Sequence, residues 1–338
     1  MAPLAHLTTE AHLRERARRD AARHALAAGR RLRVAISGAS GLVGGRLVTF
    51  LEGGGHEVWA LVRRPPRDGA REIPWTPGDP RADLRTAEGL DAIVHLAGEN
   101  IAGGRWTPTR KQAIRSSRVD GTRALAESLA RLERPPRVLV SASAIGFYGD
   151  RGDELLNERS PPGAGFLPET CLAWEAATQP ARAVGVRVVC MRIGVVLSRA
   201  GGALAKMLPI FRLGVGGPIG SGRQWMSWIG LDDLVAALHF VMLREDLSGA
   251  VNATAPGAVR QRDFARTLGR LLHRPAFAPL PALAVRLLMG EMGQRLLLEG
   301  ARVLPARLRE AGFSFFEPDL HAALEWELGR VPVDRSQK

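Results

Sequence analysis

The chain has 338 residues, 46% of them hydrophobic and 24% charged, with a formal charge of +13 at neutral pH. This balance belongs to a globular protein with one large core and an appended lobe, and no apolar run is long enough to cross a bilayer. Two cysteines, Cys171 and Cys190, exclude a disulfide framework and fit a reducing, cytoplasmic setting. Only three of the 47 basic residues are lysines, and the arginines are scattered rather than gathered in a stripe with aromatics. A nucleic-acid partner is therefore not expected, nor a membrane; a small molecule is. Among the eight histidines no pair stands at i, i+4 with a ligating partner, so no metal site is expected.

Residues 1–30 read as a polar helical extension, with Leu13, Ala17, Ala21 and Ala25 at helical spacing among arginines. From residue 31 the pattern alternates. Arg33-Val-Ala-Ile-Ser37 is a buried-strand run, Glu57-Val-Trp-Ala-Leu-Val62 a second, and Gly53-Gly-Gly55 between them a helix stop. Further strand runs lie at Asp91–Ala97, Arg137–Ser141 and Val186–Met191, with helices predicted over 109–132, 168–184 and 234–243. Apolar strands alternating with helices predict an α/β fold, a Rossmann-type doubly wound parallel sheet. Asp232 and Asp233 read as caps of the 234–243 helix. The glycine- and tryptophan-bearing stretch 206–228 reads as a mobile wall over a small-molecule site. Beyond Pro275, leucine-rich helical segments form a smaller C-terminal lobe. The expected division is an extension at 1–30, a dinucleotide-binding domain at 31–275, a helical domain at 276–325 and a tail at 326–338.

The first strand runs into Gly38-Ala-Ser-Gly41-Leu-Val-Gly44, three glycines spaced by three at a strand-to-helix turn. Such a turn lets backbone approach a pyrophosphate and aims free helix N–H groups at it. Gly38, Ser40, Gly41, Leu42, Val43 and Gly44 are the expected cofactor contacts. The second strand ends in Arg63-Arg64 with no acid where an NAD-binding chain would place one for the ribose hydroxyl. A guanidinium fork matches a 2′-phosphate, so the expected cofactor is NADP(H).

Together with that turn, Leu96-Ala-Gly98, Ser141-Ala-Ser143 and Phe147-Tyr-Gly149 resemble the extended short-chain dehydrogenase/reductases, the epimerase/dehydratase-like enzymes. Ala97-Gly-Glu-Asn-Ile101, Ser117-Arg-Val119, Gly216-Gly-Pro-Ile-Gly-Ser-Gly222, Ser227-Trp-Ile229 and Glu310-Ala-Gly-Phe313 are similar to its atypical 39U branch of epimerase family proteins. The likeness spans residues 31–325 and departs at Gly230, where the branch usually carries histidine. It implies further cofactor contacts from Ala97, Gly98, Glu99, Arg118, Ser141 and Val195.

In that superfamily a tyrosine handles the proton, a lysine four residues on lowers its pKa, and a serine orients the substrate hydroxyl. The serine is matched by Ser143. Where the Tyr–Lys couple is expected on the following helix, the chain reads Cys171-Leu-Ala-Trp-Glu175, so the spacing survives while both groups are replaced. The one tyrosine, Tyr148, is followed four residues later by Gly152. The catalytic candidates are therefore Ser143, Tyr148, Cys171 and Glu175. The expected function is an NADP(H)-dependent oxidoreductase of the epimerase family acting on a small alcohol or carbonyl compound. The alternative is an NADP(H)-binding regulatory or division-related protein without turnover.

Overall fold

The computed structural model describes residues 31–329 apart from 78 and 80–83; the helical reading of 1–30 lies outside them. In chain order β1 (Arg33–Ser37), α1 (Leu42–Gly53), β2 (Glu57–Val62) and β3 (Glu72–Pro74) open the fold. Then come β4 (Ala92–His95), α2 (Pro108–Ala130), β5 (Val138–Ala144), β6 (Leu155–Leu156), α3 (Phe166–Ala176) and α4 (Gln179–Ala183). β7 (Arg187–Ile193), β8 (Val195–Leu197), α5 (Gly202–Arg212), β9 (Trp225–Met226), β10 (Trp228–Gly230), α6 (Leu231–Leu243) and β11 (Gly249–Ala253) follow. The C-terminal part holds β12 (Val259–Arg260), α7 (Gln261–Leu272), α8 (Ala282–Gly293), a π turn (Gln294–Leu298), β13 (Arg302–Val303), α9 (Ala306–Glu310) and α10 (Leu320–Glu327).

Seven strands form one parallel sheet in the order β3-β2-β1-β4-β5-β7-β11, the doubly wound arrangement expected from the alternating pattern. Its two faces are visible in β1. Val34 and Ile36 join Leu47, Phe50 and Leu51 of α1 and Leu234 to Met242 of α6. Ala35 turns the other way, toward Leu125, Ala126 and Leu129 of α2. Alternate residues thus feed two cores, and both faces being covered explains the unbroken apolar runs. Each fully buried Leu or Phe contributes about 1.5–3 kcal/mol. A further core joins Leu204 and Phe211 of α5, Trp228 of β10, Phe264 and Leu268 of α7 and Leu324 of α10.

Two expectations are corrected here. The predicted 168–184 helix is two helices, because Pro180 has no N–H for an interior position and sits instead in the first turn of α4. The Thr178 hydroxyl donates to the Glu175 carbonyl at 2.7 Å and closes the first of them. Nor do Asp232 and Asp233 cap their helix. It starts at Leu231 behind an N-cap glycine, Gly230, and its first-turn acids face other elements. Asp232 pairs with Arg46 of α1 at 2.8 Å and accepts from the Trp326 indole at 2.9 Å. Asp233 accepts from the backbone N–H groups of Phe316 and Glu317.

Candidate functional site

The glycine turn joins β1 to α1. Gly38 has φ +73°, and a Cβ there would stand 3.0 Å from the Ala97 nitrogen, so the turn and the end of β4 close on each other. At Gly44 a Cβ would meet the Gly38 carbonyl oxygen at 2.1 Å, which no side chain can do. The Gly41 N–H is spent on Gly38 O at 2.9 Å, and the Gly45 N–H on Gly41 O at 2.8 Å. Helix α1 has no side-chain cap, so the N–H groups of Leu42, Val43 and Gly44 keep the orphan donors of a helix start. Beneath the turn, Ser37 Oγ accepts from the Leu96 N–H at 3.1 Å and lies 2.6 Å from His95 Nδ1, which fixes the chain on both sides of the cradle.

At the end of β2 the two arginines part company. Arg64 makes a bidentate pair with Glu72, at 2.7 and 2.9 Å, and Arg67 joins it, which holds the Glu72 carboxyl at about 2. Arg63 is exposed, with no ion pair among the described residues. Across the turn, residues 97–99 meet the middle of α2. The Glu99 N–H donates to Ser117 at 3.1 Å, and Arg118 donates to the Glu99 carbonyl at 3.1 Å while lying over the Trp174 ring. Ser141 is buried in β5, and Val195 sits in β8 against the core formed by α5, α7 and α10.

The four catalytic candidates come together around a residue that the sequence reading missed, Arg192 of β7. Its Nε and Nη2 donate to the two Glu175 oxygens at 2.8 and 2.9 Å. Its Nη1 donates to the Tyr148 hydroxyl at 3.1 Å, and its guanidinium stacks on Phe147 at 3.4 Å. Ser143 at the end of β5 donates to Glu175 Oε1 at 2.7 Å. Tyr148 in turn donates to Asn252 Oδ1 at 2.7 Å, and the Asn252 amide to the Leu304 carbonyl at 2.9 Å.

Glu175 occupies the last turn of α3, where the helix dipole disfavours an anion, so the pairing with Arg192 is a requirement of burial rather than an ornament. Burial opposes the Arg192 charge, but the Glu175 carboxylate and the Tyr148 hydroxyl outweigh it and hold the guanidinium above its ordinary value. Tyr148 is fully buried, and that burial raises its pKa despite Arg192. Cys171 is pushed up to about 12 by burial and by the nearby Glu175 charge; its thiol faces the Ala144 carbonyl at 3.7 Å. Both therefore remain protonated at neutral pH. Ser143, itself buried, directs its proton at Glu175, and its oxygen keeps the capacity to accept a second proton donor. One signal for Arg192 was present: a guanidinium inside the apolar run 186–193 demands a buried counter-charge.

Among the described residues no cluster of three ligating side chains forms, and no helix is long and apolar enough to cross a membrane.

The sequence profile of the NAD dependent epimerase/dehydratase family matches residues 34–253, and that of a domain of unknown function, DUF1731, matches 280–327. An epimerase family protein of Mycobacterium bovis is 42% identical over 297 residues, covering 88% of this chain and 98% of its own length. The crystal structure of the human epimerase family protein SDR39U1 with NADPH is 35% identical with a TM-score of 0.82, covering 89% of this chain and all of that one. A nucleoside-diphosphate sugar epimerase from Corynebacterium glutamicum is 38% identical with a TM-score of 0.75; the match covers 95% of this chain and 62% of that one. With a glycine cradle at the head of α1, a seven-stranded doubly wound sheet and full-length relatives of this kind, the chain belongs to the NAD-dependent epimerase/dehydratase family, among the SDR39U1-like epimerase family proteins.

Proposed function

We propose that this chain binds NADP(H) at the 38–44 turn and is an oxidoreductase of its family, acting on a small hydroxyl or carbonyl compound. The observation that carries the cofactor is the uncapped start of α1 behind a turn that only glycine can build, with the exposed Arg63 at the end of β2. The NADPH bound by the similar human protein supports the same choice. The N–H groups of Leu42, Val43 and Gly44 would hold the pyrophosphate, and Arg63, rather than the already paired Arg64, would take the 2′-phosphate. Ala97, Gly98, Glu99, Arg118, Ser141 and Val195 complete the proposed contacts. The nicotinamide, when bound, supplies hydride transfer.

The proposed proton route replaces the Tyr–Lys couple. Ser143 Oγ accepts the hydrogen of a substrate hydroxyl and passes its own proton to Glu175, 2.7 Å away. Arg192 holds that carboxylate in place and balances its charge. Tyr148 and Cys171 act by positioning, Tyr148 on Arg192 and Cys171 as part of the wall beside Ala144. The test of the cofactor is a fluorescence titration of Arg63→Ala. Losing a charge-assisted contact of about 1.5–3 kcal/mol weakens NADPH binding roughly tenfold to a hundredfold and leaves NADH unchanged. Equal losses for both cofactors would refute the assignment.

A second reading, binding without turnover, is favoured by one observation: the hydrogen bonds of Glu175, Arg192, Tyr148 and Asn252 close on one another. NADPH consumption across a carbonyl panel that Ser143→Ala slows at least tenfold supports the oxidoreductase. Absence of any turnover, with NADPH binding intact, supports the second reading.

A further inference from the structure

Among the described residues, the most exposed apolar side chains belong to neighbouring segments. Leu213 and Phe277 are 78% and 77% exposed, and Leu283, Leu287 and Leu288 of α8 are 65–69% exposed. Their elements are contiguous. Segments 212–220 and 274–280 run side by side: the Ala278 N–H donates to Gly216 O at 3.3 Å, the Leu280 N–H to Pro218 O at 2.8 Å and the Gly220 N–H to Leu280 O at 2.8 Å. Pro281 then leads directly into α8, in which only Val285 and Gly293 are buried. Leu283 and Leu287, four residues apart, present one ridge on α8, which follows the Phe277-bearing segment in the chain. A patch of this kind marks an interaction surface.

The charges around it say what the partner is. Residues 202–223 contain Lys206, Arg212 and Arg223 and no acid, while residues 261–293 contain five arginines and two acids, Asp263 and Glu291, the latter paired with Lys111. Beside Phe277, Arg266, Arg270, His273 and Arg274 line an open cavity of about 450 Å³. A second copy of the chain, docked through the same face, would set these arginines against their like. The extension at 1–30 is no better matched, with six arginines against three acids. Protruding leucines and a phenylalanine bordered by arginines suit an anionic lipid surface, with acyl chains meeting the ridge and headgroup phosphates the basic cavity.

We propose that the α8 ridge and the adjoining Arg266–Arg270 cavity form a peripheral docking face for anionic lipid bilayers. This differs from the expectation of no membrane partner, which rested on the absence of a spanning segment; docking at the surface needs none. The face also touches the cofactor half: Arg105 donates to the Leu287 carbonyl at 3.3 Å, and Lys111 pairs with Glu291. Docking would therefore hold the loop after β4 at a fixed height above the lipid.

The test is co-sedimentation of the full chain with vesicles of phosphatidylcholine alone and of phosphatidylcholine with 30% phosphatidylglycerol (about, by mole). Binding to the anionic vesicles only is expected. Leu283→Asp/Leu287→Asp should lower the partition coefficient at least tenfold, and Arg266→Gln/Arg270→Gln roughly twenty- to thirtyfold, at about fivefold per arginine. All these side chains are exposed, and an unchanged melting temperature verifies that each variant is folded. No binding to anionic vesicles overturns the proposal, as does equal binding by parent and variants. A parent that sediments as a dimer which Leu287→Asp dissociates, without vesicle binding, assigns the face to a second copy instead.

Discussion

Replacing Arg192 by methionine keeps much of the side-chain volume and removes the cation that, among the described residues, pairs with Glu175. Arg192 and Glu175 are 5% and 15% exposed, so water cannot replace the lost partner. Arg192→Met strands a carboxylate at the unfavourable end of α3 and takes a donor from Tyr148, at a cost of about 3–5 kcal/mol. Glu175→Gln strands the guanidinium instead and costs about 3 kcal/mol. The double variant removes both charges together, leaves Ser143 an amide partner, and should lie only about 1–2 kcal/mol below the parent. Urea denaturation of the four proteins gives a double-mutant cycle with an expected coupling of at least about 2 kcal/mol. Costs that simply add, to within about 0.5 kcal/mol, would show that the two side chains stand near each other without depending on each other, and the charge-balance argument would fail.

Glu327 of α10 is buried, and that burial pushes its carboxyl up to about 7 although the Arg199 N–H donates to it at 3.0 Å. Its folded pKa being above its unfolded one, the stability it supports is complete at acid pH and is lost as pH rises toward and through 7. Relative to Glu327→Gln, the parent should lose on the order of 2–3 kcal/mol between pH 5 and pH 8, and a flat difference in urea midpoints would contradict this. Gly44→Ala forces a Cβ to 2.1 Å from Gly38 O, whereas at Gly45 the nearest contact would be an ordinary 3.4 Å. Gly44→Ala should therefore cost about 1–3 kcal/mol and weaken NADPH binding at least tenfold, with Gly45→Ala tolerated in both measurements. Cys171 and Cys190 have thiols pushed up to about 12 and about 11 by burial. Neither should react with a thiol reagent at pH 8 in the folded chain, while both react in urea; prompt labelling of the native protein would refute the burial argument.

The sheet was legible because a strand covered on both faces needs apolar side chains on both, and β1, β2, β4, β5 and β7 each read as such a run. Chain breaks were less legible. Pro180 signalled that a helix could not pass through it, yet leucines and alanines on both sides kept the helical period, and only the Thr178–Glu175 contact locates the break. Asp232 and Asp233 looked like caps because their spacing to the next apolar residues was right. Their actual partners, Arg46, Trp326 and the 316–317 backbone, lie far along the chain, where no spacing rule reaches. The same limit hid Arg192. Its position in a buried strand announced that some acid must meet it, and Glu175 stood unexplained on a helix, but joining the two requires the fold.

Once joined, those two residues explain why the conventional couple cannot be recovered one position at a time. A lysine at position 175 would face the Arg192 guanidinium across the 2.8–2.9 Å contacts now made by the carboxylate. Two cations about 4 Å apart repel by about 4 kcal/mol at an effective dielectric near 20. Arg192 cannot withdraw, since Tyr148 and the Phe147 ring hold it from the other side. A tyrosine at position 171 would also need space now filled by a side chain packed with Phe147, Tyr148 and Val303. Arg192, Glu175 and Tyr148 thus form a closed set that excludes a lysine at 175, which is why the proton route proposed above runs through Ser143 and the Glu175 carboxylate.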